Sequence, residues 1–225
     1  VKWANKYNKQ QQRIQGKHSF VSEIVYGFHV IFHPFDGFWD IKHEKRGSVR
    51  GATFWLCITI MVFVYEGVGQ GYLFNPGYNR VSILYHAFSV LLPLLLWATA
   101  NWCLTTLFEG EGSFKDVYIA SCYSLIPLPL IVLPQVILTN FVTMDEAPLL
   151  LALVSIAYFW LGLLIFFAMM VIHDYTLGKN ILTVIGSVVG VAIIMFVTVL
   201  FAGLLTEIYK FVYNIFIELK YRYWS

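Results

Sequence analysis

Charge is what this chain has least of. Asp, Glu, Lys and Arg make up 12% of its 225 residues while 59% are hydrophobic, with a mean hydropathy of +0.69; soluble domains carry roughly a quarter charged residues. That balance excludes a soluble globular domain and defines an integral membrane protein. Cysteine is scarce too. Cys57, Cys103 and Cys122 are odd in number and each lies in an apolar run, where it acts as a small hydrophobe, so no disulfide framework follows. Metal or hydrolytic chemistry needs paired histidines beside an acid, or a nucleophile beside its base, and the six histidines are not read as carrying it. No catalytic residue, metal, cofactor or nucleic-acid partner is implied. The run from Lys2 to Lys17 also lacks the apolar core of a cleavable signal.

What is present is long apolar runs. A hydrocarbon core about 30 Å thick needs about 20 helical residues per crossing, and five runs meet that length: about 50–71, 82–107, 117–139, 147–172 and 182–205. They are continuous instead of alternating, which excludes a barrel. The fold class is therefore an all-α bundle of five transmembrane helices over 49–205. It carries a polar arm over 1–18, an interfacial amphipathic helix and charged collar over 19–48, and a C-terminal amphipathic helix over 206–225. In the first of these helices Phe20, Ile24, Phe28 and Ile31 recur at helical spacing opposite Ser19, Glu23, Tyr26 and His33, and Pro34 ends it. The final segment admits a second reading, a fifth span that continues beyond the bilayer.

Basic residues are concentrated at the start: nine Lys and Arg precede the first span, whereas Arg80, Lys115 and Lys179 are single residues in later connections. The positive-inside rule then predicts a cytoplasmic N-terminus and, with five spans, an extracytoplasmic C-terminus. The three basic residues Lys210, Lys220 and Arg222 run mildly against it.

Four features stand out as candidates. Glu66 is the one acidic residue well inside an apolar run, a position costly enough to suggest function, although its place near the span's outer end also suits a structural role. Pro127, Pro129 and Pro134 must kink or break the third span, as in transporters that expose backbone dipoles. Gly186-x-x-x-Gly190 with Ser187 reads as a close helix-packing face. The collar over 33–48 brings together Asp36, Phe38, Trp39, Asp40, Lys42, Glu44, Lys45 and Arg46, with Glu111, Lys115 and Asp116 in one inner loop and His173 and Lys179 around the other. Its bases suit topology and anionic lipid, but its acids do not, and a mixed-charge aromatic surface suits protein recognition. Some of those acids are expected to pair within the collar or with Lys115 and Lys179 from the inner loops. His173 is expected to serve as a helix C-terminal donor.

The collar HPFDGFWDIKHEKRGS, the run ANWCLTTLFEGEGSFKDVYIASCYSLIPL from Ala100 to Leu128, and HDYTLGKN from His173 to Asn180 together resemble the Yip1 family, in its bacterial, Firmicutes-type form, over about residues 30–205. The resemblance implies five membrane helices, a cytosolic N-terminus, an outward C-terminus and no transferable catalytic residue. It also implies a place in the bacterial plasma membrane beside carbohydrate ABC importers. The vesicle-traffic role of eukaryotic relatives is not carried over, because their long acidic-aromatic N-terminal domain has no counterpart here. Two expectations follow: an accessory subunit or scaffold that docks the permease of such an importer, or a small transporter or channel using Glu66 and the broken helix. A lipid-binding or membrane-shaping protein is a third.

Overall fold

The computed structural model describes residues 19–75 and 82–224, all of whose regular structure is helical. The polar arm and Arg80 lie outside the described residues. Two short helices come first. α1 spans Phe20–Phe32, and α2 spans Pro34–His43 with Pro34 in its first turn, so the proline ends one helix and starts the next. Five segments long and apolar enough to cross a membrane follow: α3 Val49–Gly69, α4 Ile83–Phe108, a third span divided into α5 Phe114–Ser124 and α6 Pro127–Leu138, α7 Ala147–His173, and α8 Leu177–Trp224.

The starts of these helices are written locally. Ser48 and Ser82 cap α3 and α4 through their hydroxyls, and Ser113 and Asp116 form a reciprocal capping box at α5. Asp116, a candidate docking residue, therefore serves the fold, accepting from Ser113 N at 3.2 Å while Ser113 Oγ accepts from Asp116 N at 3.3 Å.

The third span is the axis of the bundle. It is 72% buried, and it packs against α1, α2, α3, α4 and α7. The proline expectation holds, because the helix breaks at Leu125–Ile126 between α5 and α6. Pro127 and Pro129 lack the N–H groups that would continue the ladder, and tighter bonds such as Leu128 N to Leu125 O at 2.9 Å carry the chain across. The break also seats α1. Gly27 lies against Ile126 and Trp55 so closely that an added Cβ would stand 2.5 Å from Ile126 Cδ1.

α8 is the outlier. It packs chiefly on α4, lightly on α7, and none of its apolar window is buried. Gly186 and Gly190 face Leu104 and Ala100 of α4, as the small-residue spacing predicts. The fifth helix begins at Leu177, earlier than 182, and runs unbroken for 48 residues. At about 1.5 Å per residue that is about 72 Å, roughly twice a hydrocarbon core. Residues 206–224 are thus the end of α8 and not an element of their own, since no proline follows Pro148 to stop the helix. There Lys210 pairs with Glu207 at 2.9 Å, and Tyr209 stacks on Tyr213. The side chains of Tyr221, Tyr223 and Trp224 lie outside the description.

Helix order places α1, α2 and the turns after α4 and α7 at one end of the bundle. The turn after α3 and the 3-10 turn Met144–Glu146 lie at the other, where Gly71 N donates to Thr139 Oγ1 at 2.9 Å.

Candidate functional site: the collar face

The sequence pattern turns α1 only partly as expected. Val30 and Ile31 are buried, but Glu23 and Tyr26 point into the protein instead of water. Glu23 accepts from Ser48 Oγ, and its carbonyl accepts from Tyr123 Oη at 3.1 Å. The side left outside is apolar: Val21, Val25, Phe28 and Phe32 form an exposed stripe at helical spacing. A polar residue with a specific bonding partner overrides the amphipathic pattern, and the exposed stripe is what suits a membrane interface.

Arg46 organises the collar. Its Nε reaches Glu44 Oε2 at 2.6 Å, its Nη1 lies 3.4 Å from Asp40 Oδ2, and its guanidinium stands 5.6 Å from the Tyr26 ring centroid. Tyr26 Oη donates to Asp40 Oδ2 at 2.8 Å. Burial raises the Tyr26 phenol well above its ordinary range, and the Asp40 carboxylate adds to the shift. Burial works against the charge of Arg46, but the bond to Glu44 with the charges of Asp40 and Glu44 outweighs it and raises its pKa.

Further ion pairs tie the collar face together. Lys42 Nζ bonds Glu111 Oε2 at 3.0 Å, joining α2 to the α4–α5 turn, and that bond holds Glu111 below the usual carboxylate range. Lys179 lies 3.9 Å from Glu109 and over the Tyr175 ring. Asp40 and Glu44 thus pair within the collar, both with Arg46 and neither with Lys115 or Lys179, while Asp36 is in none of these ion pairs. Lys115 is exposed, and none of these ion pairs includes it.

Two candidates are placed away from any partner. Phe38 is fully buried and packs α2 onto the bundle, so it belongs to the core. His173 is 1% exposed and is not a C-terminal donor to carbonyls. Its Nδ1 accepts from Gly112 N at 3.2 Å, which leaves Nε2–H to donate to Asn101 Oδ1 at 2.8 Å. Asn101 Nδ2 in turn donates to Ser187 Oγ at 3.0 Å. One buried chain of bonds therefore joins α7, the α4–α5 turn, α4 and α8. Asn101, a polar residue within an apolar run, was the available signal for it.

What remains outward is narrower than the sequence set: Asp36, Trp39, Lys45, Glu111 and Lys115 are exposed, with Phe35 beside Trp39. Trp39 is held by a stacked His43 at 4.5 Å, and Phe35 by Phe167 of α7 at 4.7 Å. The same end carries a backbone feature that sequence patterns do not show. Lys45, Glu109 and Asp174, which close α2, α4 and α7, all have left-handed backbones with φ of 52°, 51° and 54°. Glycine is the usual residue there, and a side chain costs about 1–2 kcal/mol.

His29 and His33 stand one helical turn apart with rings stacked at 4.9 Å, a spacing the sequence reading passed over. No group of three His, Cys, Asp or Glu able to hold a metal occurs among the described residues. At the opposite end, Glu66 is half-buried and accepts from Gln70 Nε2 at 3.3 Å.

Five membrane-length spans, the third of them buried and proline-broken, with a charged collar folded onto one end, define a multi-pass helical membrane protein. The family model described as Yip1 domain matches residues 28–201, and the chain belongs to the Yip1 family. No curated protein and no solved structure matched it.

Proposed function

We propose that this protein is a non-enzymatic scaffold or accessory subunit whose collar face docks another membrane protein complex. The observation that carries the reading is the exposed Phe35–Asp36–Trp39 surface on a collar that Lys42 and buried Phe38 fasten to the bundle and Arg46 closes on itself and on α1. A lipid anchor needs no such buttressing. A recognition surface does, because rigid aromatic anchors with charged neighbours bind at little entropic cost. The left-handed Lys45, Glu109 and Asp174 at the same end support it, since non-glycine backbone of this kind gathers at functional sites.

The partner implied by the family resemblance is the permease of a carbohydrate ABC importer in a bacterial plasma membrane. In this reading the collar is cytoplasmic, in line with the eight basic residues before α3 and Arg50 in its first turn, and α8 ends outside. Mild-detergent purification from the native membrane should recover importer subunits in stoichiometric amount; recovery of the chain alone would count against the proposal. Reversing Asp40 or Glu44 would break the Arg46 cluster, so Asp36→Lys with Trp39→Ala is the variant pair that alters the surface alone.

A further inference from the structure

A cavity of about 730 Å³ lies within the membrane-spanning part, between α3, α4, the helix break, α7 and α8. Phe63, Leu94, Leu125, Leu128, Leu161 and Val191 are among its walls, which are almost wholly hydrocarbon. The volume falls within the range of about 300–1,000 Å³ typical of small-molecule sites. The helix break contributes directly: Leu125 at the break and Leu128 just after it both face the cavity.

Polar groups gather at one end. Glu66 stands one turn beyond Phe63 on α3, His86 three residues before Ser89 on α4, and Tyr158 is itself part of the wall. Glu66 is in electrostatic reach of both His86 and Tyr158. Deeper in, Trp97 lines the cavity, and its buried indole N–H finds no acceptor among the described residues. An amphiphile fits this arrangement better than a purely apolar molecule, because the walls are hydrocarbon while the phenol of Tyr158 is part of them and Glu66 and His86 stand on the adjoining turns of α3 and α4.

We propose that the cavity holds one chain of a phosphatidylethanolamine molecule, whose ammonium meets Glu66 and whose phosphate lies towards His86 and Tyr158. Ethanolamine satisfies the site for a chemical reason: its ammonium offers N–H donors to a carboxylate that otherwise has the Gln70 amide, whereas a choline head has the same charge and no N–H. The site stands apart from the collar face, at the other end of the bundle, so neither reading depends on the other.

The test is native mass spectrometry with lipid analysis on protein exchanged through nanodiscs of equal phosphatidylethanolamine, phosphatidylcholine and phosphatidylglycerol. One phospholipid should stay bound per chain, with phosphatidylethanolamine favoured about tenfold, the size expected for one charge-assisted bond. Glu66→Gln should keep a lipid bound but lose the preference. Met195→Trp should lose the lipid while leaving helical content and elution unchanged, since Met195 lines the cavity but is half exposed. A bound population that mirrors the nanodisc mixture, or one that Met195→Trp does not reduce, would overturn the proposal.

Discussion

Replacing Asn101 by Ala should detach α8 more than any other part of the bundle. The carboxamide makes two buried bonds, to His173 Nε2 at 2.8 Å and Ser187 Oγ at 3.0 Å. Hydrogen bonds inside membrane bundles average about 0.6 kcal/mol in double-mutant cycles, which gives about 1.2 kcal/mol for the pair. The imidazole N–H of His173 is then left without an acceptor at a site 1% exposed, and stranding a buried donor costs about 1–3 kcal/mol. The expected loss is thus about 2–4 kcal/mol, a fall in Tm of about 4–16 °C for a chain of this size. Thermal unfolding in detergent reads the loss. A cycle with Ser187→Ala should show coupling near 0.6 kcal/mol. Because α8 buries none of its apolar window, limited proteolysis should release it first. A Tm within 1 °C of the parent, or no coupling to Ser187, would refute the idea that this chain of bonds holds α8 to the bundle.

Other perturbations test separate parts of the account. Gly37→Ala should cost about 1–3 kcal/mol, because its Cβ would lie 2.9 Å from the Val30 backbone where α1 crosses α2; the Tm of the variant measures it. Glu109→Gly relieves a left-handed side chain and should stabilise the protein by about 1 kcal/mol, since its exposed pair with Lys179 offsets little. Tyr26 keeps its proton in the fold when the unfolded chain loses it, so its stabilising effect is full below about pH 10 and fades as the pH rises beyond that; Tyr26→Phe should flatten the alkaline limb of a Tm-against-pH curve. For orientation, Asp145→Cys should react with a membrane-impermeant maleimide added to intact cells, whereas Lys45→Cys should react only after lysis; the reverse pattern would invert the proposed topology.

The bundle was legible because crossing a membrane imposes a length and an apolar composition that survive in the sequence, and the break beside Pro127 and Pro129 was legible because each lacks an N–H, whereas Pro134 sits inside α6 without ending it. What could not be read was pairing across the chain. Lys42 and Glu111 are 69 residues apart and His173 and Asn101 are 72 apart, and no local pattern marks either pair. Phe38 of the collar and Glu23 of α1 differ from their expected placing for the same reason: α7 packs against α2, and Ser48 bonds Glu23, through contacts that no local pattern marks. The end of α8 was readable both ways, since a tyrosine-rich amphipathic tail suits an interface and also a helix that continues.

The central claim is that the collar is a docking surface fastened to a membrane bundle, and purification from the native membrane tests it most directly. The parent chain should bring down carbohydrate importer permease subunits in stoichiometric amount. The double variant Asp36→Lys, Trp39→Ala should have the parent's Tm and lose them. A parent chain that purifies alone, or a double variant that retains the same subunits, would contradict the account.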